Sequence, residues 1–186
     1  MVSDVEVREL AIPGAWEITP QQHADDRGVF YEWFTDAEFH KFAGHRLDLR
    51  QANCSVSAAG VLRGLHFAQL PPSQAKYVTC PRGAVFDVVV DIRVGSPTFG
   101  QWDGAILSAD EWNQMLVPKG FAHGFVTLEE NTEVQYKVSA PYRADLDRAI
   151  RYDDPAIGID WPEVGVPLTL SDKDRRAPLL SEIRSI

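Results

Sequence analysis

The sequence predicts an all-β protein built as an antiparallel jelly roll, and three observations carry that reading. Short runs rich in Val, Phe or Tyr are each bounded by Gly, Pro, Asn or Asp. They recur about every 8–12 residues, the rhythm of a sandwich or barrel. No helix-length segment separates them, so the crossover helices that a parallel sheet requires are missing.

The elements follow in order. Met1 to Leu10 alternates acidic, basic and apolar residues and lacks the basic start and apolar middle of a signal peptide. Thr35 with Glu38 three residues on has the spacing of a capping box, and Gly44 ends the run. Between them Phe39, Phe42 and Ala43 form a weak apolar stripe, so one short helix is expected here. Strands are expected at Arg50–Ser57, Val61–Phe67, Lys76–Cys80, Ala84–Arg93, Gly104–Leu107, Gln114–Val117, Ala122–Leu128 and Thr132–Val138. The stretch from Asp174 to Ile186 is expected to hold a second short helix. Twelve prolines and thirteen glycines, spread along the chain, keep every element short.

A length of 186 residues fits one domain with a real core. Hydrophobic residues at 45% and charged residues at 24% exclude wholesale disorder and collagen-like character. The formal charge of −9 makes the chain a poor candidate for sequence-independent DNA binding, which needs a dense basic face to displace counterions. A small anionic ligand remains compatible, because a pocket needs only a few local cations. No apolar run approaches the ~20 residues of a membrane-spanning helix. Cys54 and Cys80 have no CxxC spacing and read as buried, reduced thiols of a cytosolic protein.

Strand parity sorts side chains by face. In Ala84–Arg93, Phe86, Val88, Val90 and Ile92 share an apolar face, while Asp87, Val89, Asp91 and Arg93 share a mixed one. Val134, Tyr136 and Val138 lie together, as do Gln74, Lys76 and Val78. A mixed face fits either a polar cavity inside a barrel or plain solvation. Arg63 and His66 are three apart, so a regular strand would point them to opposite faces. Gly64 between them marks the place for a bulge or bend that would bring both into one pocket.

Of the five histidines, His23 carries no signal, and His40 and His45 flank the short helix as surface residues. His66 and His123 sit in apolar strands, where a histidine is either a hydrogen-bonded core residue or functional. Metal-binding jelly rolls usually draw a His-x-His pair from one strand. Position 68 is Ala, so His66 lacks that partner. The chain has no Gly-x-Ser-x-Gly elbow, no phosphate-binding Gly-rich loop and no Cys with a close His. Acid–base chemistry remains, with His as base, Tyr as acid and Lys as stabiliser of an enolate.

At this point a resemblance enters. The segments Asp26-Arg-Gly-Val-Phe30, Gln51-Ala-Asn-Cys-Ser55, Gly60-Val-Leu-Arg-Gly-Leu-His-Phe67 and Asp87-Val-Val-Val-Asp-Ile-Arg93 belong to it. So do Ser96-Pro-Thr-Phe-Gly-Gln-Trp102, Pro118-Lys-Gly-Phe-Ala-His-Gly-Phe125, Asp160-Trp-Pro162 and Leu170-Ser-Asp-Lys-Asp174. In this order, from about Ala11 to Pro178, they resemble the dTDP-4-dehydrorhamnose 3,5-epimerase family. The resemblance implies a cupin-type double-stranded β-helix with short peripheral helices, forming one domain over residues 1–186. N-terminal strands would contribute to a homodimer, and a short extension would follow about residue 175. It implies a cytoplasmic isomerase with neither metal nor organic cofactor, and no nucleic-acid or membrane partner. The substrate would be dTDP-4-dehydro-6-deoxyglucose, whose C3 and C5 protons are both acidified by the C4 ketone.

Residue by residue, the resemblance makes His66 the general base and Asp174 the carboxylate that pairs with it. Lys76 would stabilise the enolate, and Tyr136 would reprotonate the opposite face. It places Arg63 on the diphosphate, His123 and Tyr142 in the pocket, and Arg27, Glu32, Gln51 and Asn53 at the nucleotide end, some of them across the dimer interface. The chain departs from the family pattern at Gln74-Ala-Lys76, often Gln-Gly-Lys, and at Pro141-Tyr142, often paired tyrosines. These departures leave open a mono-epimerase acting at C3 or C5 alone. A nucleotide-sugar-binding jelly roll without turnover, and a metal-dependent cupin, are the readings of other classes.

Overall fold

The structure, a computed structural model, describes residues 4–183. Strands β1 (Glu6–Glu9), β2 (Trp16–Thr19), β3 (Gln22–Asp25) and β4 (Gly28–Tyr31) precede helix α1 (Asp36–Ala43). Then come β5 (Gln51–Ser57), β6 (Leu62–Ala68), β7 (Lys76–Arg82), β8 (Ala84–Asp91), β9 (Trp102–Ser108), β10 (Gln114–Val117), β11 (Phe121–Thr127) and β12 (Thr132–Val138). The chain closes with β13 (Asp147–Ala149), a one-turn helix α2 (Asp172–Arg175) and a 3-10 turn over Leu180–Glu182.

Two antiparallel sheets face each other, in the orders β1-β2-β10-β7-β12-β5 and β13-β6-β11-β8-β9. The core between them joins Val78, Cys80, Met115, Val117 and Val134 of the first sheet to Val85, Val89, Leu107, Phe121 and Phe125 of the second. Burying each such side chain is worth about 1.5–3 kcal/mol. The expected jelly roll is therefore what forms, and all eight expected strands are present with ends shifted by a few residues. Arg93 falls outside its strand, which stops at Asp91.

Both faces of β8 are covered. Val88, Val90 and Ile92 pack under Ile150, Ile157, Leu180 and Trp161 of the C-terminal stretch. The mixed face turns inward: Asp87 and Asp91 have 0% exposure, so solvation does not account for it.

Helix α1 closes the outer face of the six-stranded sheet, where Phe39 packs with Ile18, Tyr77 and Leu116. Thr35 caps it through Glu38 N–H at 3.2 Å, and Gly44 ends it at φ 71°. The Glu38 side chain pairs with Lys41, so the reciprocal half of the expected box is not used. The C-terminal helix shrinks to the single turn α2 and the 3-10 turn; residues 184–186 of that expectation lie outside the described residues. Cys80 is buried as expected, but Cys54 is exposed, because β5 is an edge strand whose outer face is left uncovered among the described residues.

Candidate active site

The position of the site depends on one irregularity. Across the β6–β11 ladder His66 stands opposite His123, and Arg63 opposite Phe125. Gly64 and Leu65 together therefore face the single residue Gly124, which makes a β-bulge. The bulge restores Arg63 and His66 to the same inner face as Phe125, while Leu65 and Phe67 point into the C-terminal cluster. The bend expected at Gly64 is present. A Cβ there would lie 2.6 Å from the Gly124 Cα, and φ is +137°. Gly64→Ala is accordingly expected to cost about 2–4 kcal/mol, from close contact plus an unfavourable backbone region, read as a lowered midpoint in chemical unfolding.

His66 Nε2 lies 2.6 Å from Asp174 Oδ1. A carboxylate only accepts, so Nε2 carries the hydrogen and Nδ1 keeps its lone pair. Helix α2 presents Asp174. Ser171 caps that turn by accepting from Asp174 N–H at 3.1 Å, and Gly64 N–H reaches Asp174 Oδ2 at 3.4 Å. Burial pushes the Asp174 carboxyl up, but hydrogen bonding and charge from His66, with Gly64 N–H and Ser171, outweigh it and hold it below its ordinary value.

Lys76 starts β7 on the inner face of the opposite sheet. Its Nζ donates to the His66 carbonyl at 3.5 Å. Burial lowers its pKa to about 8, against the upward pull of Asp87 and Asp147. Two strands of the same sheet hold Tyr136 and Asn53 side by side. Burial raises the Tyr136 hydroxyl, opposed by the Arg63 charge and an Asn53 hydrogen bond, while Asp147 raises it further. His66 and Tyr136 thus rise from the two facing sheets. Both members of the His123–Asp87 pair are buried, joined at 2.8 Å, and burial lowers the His123 imidazole.

Of these groups His66 and Lys76 line a cleft, together with Gln74, Tyr142 and Asp147, whereas Tyr136, Asn53, Arg63 and His123 are not among its lining residues. Gln51 joins its rim: its amide donates to Asn53 at 2.7 Å, and its oxygen accepts from Tyr142 N–H at 3.0 Å. Arg63 reaches Ser57 Oγ at 3.1 Å. Arg27 and Glu32 do not line this cleft. They lie in and just after the separate β3–β4 hairpin, where Arg27 pairs with Asp25. Asp147 is a cleft residue that sequence reasoning missed. It accepts from Tyr142 Oη at 3.3 Å and pairs with Lys173, yet its strand has only three residues and carries no periodic signal. A wider cavity of about 340 Å³ lies by Trp16, Leu47, Leu116 and Lys119, but it holds none of the paired acids and bases.

Paired in this way, His66 can take a proton at Nδ1, Asp174 can hold the resulting imidazolium, Lys76 can face a developing oxyanion, and Tyr136 can donate from across the gap. The family model for dTDP-4-dehydrorhamnose 3,5-epimerase matches residues 9–182. A Mycobacterium tuberculosis protein of that name is 57% identical over 182 residues, 97% of this chain and 90% of the relative. A Streptomyces niveus dTDP-4-dehydrorhamnose 3-epimerase is 48% identical, covering 96% of this chain and 85% of the relative. Among solved structures, the Legionella pneumophila dTDP-6-deoxy-D-glucose-3,5-epimerase in complex with dTDP-4-keto-L-rhamnose superposes with a TM-score of 0.92 at 43% identity, covering 96% of this chain and 94% of that one. The family model and the relatives match nearly the whole chain, and the chain belongs to the dTDP-4-dehydrorhamnose 3,5-epimerase family.

Proposed function

We propose that this chain inverts both C3 and C5 of dTDP-4-dehydro-6-deoxyglucose, giving dTDP-4-dehydro-L-rhamnose, without metal or organic cofactor. The observation that carries the reading is the imidazole–carboxylate pair on one sheet facing a phenol on the other, with a buried lysine between them in the chemistry. His66 Nδ1 removes the proton α to the C4 ketone, and the electron pair moves onto the C4 oxygen. The Lys76 ammonium stabilises that enolate. Tyr136 then delivers a proton to the opposite face; the imidazolium loses its proton to solvent, the phenolate regains one from solvent, and the cycle repeats at the other carbon. Incubation with substrate in D2O tests this. Deuterium at both carbons with inversion at both is the expected result, and exchange at neither sinks the reading. Exchange at one carbon only would favour a mono-epimerase, a reading supported by the similarity to the Streptomyces niveus 3-epimerase.

In this reading Arg63 binds the diphosphate, and Gln51, Asn53, His123 and Tyr142 hold the rest of the substrate. Arg27 and Glu32 would serve a second copy's site in a cytoplasmic homodimer. The exposed β3–β4 hairpin, with Val29 43% and Phe30 65% exposed, supports such an arm. Arg63→Ala is expected to raise KM about 10–100-fold with a smaller change in kcat, measured by steady-state kinetics, because a charge-assisted phosphate contact acts mainly in binding. Lys76 serves as a cation. Its proton is present below about pH 8 and lost above it, so activity should fall on that alkaline limb, as a kcat–pH profile would show.

A further inference from the structure

Asp87 has no part in the mechanism so far, yet it is the most fully enclosed carboxylate near the cleft. It sits on the inner face of β8 with 0% exposure. Its Oδ1 accepts from His123 Nε2 at 2.8 Å. Its Oδ2 is also buried and has no hydrogen-bond partner. A buried carboxylate with a vacant oxygen is unfavourable unless a cation compensates it. His123 is a poor candidate for that cation, since burial holds its ring toward the neutral form.

Four groups act on one another here. Around Lys76 stand His66 from β6 and His123 from β11, neither a permanent cation or anion, and the carboxylates Asp87 from β8 and Asp147 from β13. Asp147 is already engaged by the Lys173 ammonium and the Tyr142 hydroxyl. Asp87 has only His123 within ion-pair distance among the described residues. Its charge is therefore the one left to offset Lys76.

We infer that Asp87 is a positioning residue of this site: one oxygen fixes His123 as the Nε2–H tautomer, and the carboxylate as a whole is the counter-charge that keeps Lys76 an ammonium. The inference rests on the epimerase reading for its kinetic consequence but not for its electrostatics. His123 Nδ1 is left as an acceptor. Lys76 enters each turnover already charged, so enolate formation needs no separate protonation of the lysine.

Two measurements decide it. In Asp87→Asn, the alkaline limb of deuterium exchange should move down by about one pH unit, so exchange at pH 8 falls about fivefold while exchange near pH 6.5 falls much less. Asp87→Glu should bring the limb back toward its original pH. An equal loss at every pH would assign Asp87 a merely structural role and overturn the inference, as would an unmoved limb. The second measurement does not require a stable Asp87 variant. Lys76→Gln removes a positive charge that lowers the His123 ring, so NMR of the ring nitrogens should show His123 titrating at higher pH. An unmoved His123 titration would mean that lysine, carboxylate and ring are not coupled, and the inference would fall. If the unaltered protein exchanges no deuterium, the epimerase reading fails instead, and the His123 titration still reads the coupling.

Discussion

His66→Ala is expected to abolish deuterium exchange at both C3 and C5, with a loss of at least about 10³-fold when wash-in is followed by NMR. The size follows from the loss of the base itself. General-base contributions run to about 10²–10⁴-fold, and no second ring nitrogen is placed to substitute, since His123 is buried and bonded to Asp87. Asp174→Asn offers a second test of the same pair. An amide in that place can donate to Nε2, which would move the ring hydrogen to Nδ1, the atom required to accept. Activity should drop although the ring stays in place, as happens when the orienting carboxylate of a serine-protease triad is changed to an amide. Full exchange in His66→Ala would remove the base assignment outright. Because the alanine also leaves Asp174 buried without its partner, unfolding curves should accompany the kinetics.

Much of this arrangement was legible because the strands that build it are the regular ones. β8 reads as a nearly continuous Val-rich run, and covered strands have that signature. Parity put Tyr136 with Val134 and Val138, which is where the core between the sheets has it. Gly64 flagged the bulge, since a residue without a Cβ was needed where the backbones of β6 and β11 come together. The roles of Lys76 and Tyr136 came from the family resemblance rather than from parity.

Other features gave no local signal. β1 reads Glu-Val-Arg-Glu with every residue exposed, and β3 reads Gln-His-Ala-Asp, so neither carries an apolar alternation. β13 is too short to have a period. Asp87 and Asp147 gain their meaning from partners 36 and 26 residues away, which no window on the sequence joins. The exposure of Cys54 depends on which strand lies at the sheet edge, a matter of topology. Arg27 and Glu32 are separated from the cleft for a similar reason, because the hairpin that holds them joins neither sheet.

Tyr136→Phe is expected to separate two steps that His66→Ala removes together. The substitution keeps the ring, so packing against the inter-sheet core should change little, while the phenolic proton is lost. Burial raises the Tyr136 hydroxyl above its ordinary value, and a raised phenol remains protonated throughout the neutral range. The wild-type residue is therefore a ready donor at every pH where the imidazole can act as a base, and the alkaline limb near pH 8 belongs to Lys76 instead. Without the phenol, His66 can still take a proton from the substrate and return one to the same face. In D2O this gives deuterium incorporation with retained configuration. Inversion should fall about 10²–10³-fold while exchange falls by less than about tenfold, with chiral analysis of the product set against mass spectrometry of its deuterium content. A parallel loss of exchange and inversion would mean that Tyr136 also supports the first proton removal, and the division of labour between the two sheets would have to be abandoned. Exchange that survives with retention in Tyr136→Phe, set against inversion by the unaltered chain, assigns proton removal to the imidazole on one face and proton delivery to the phenol on the other.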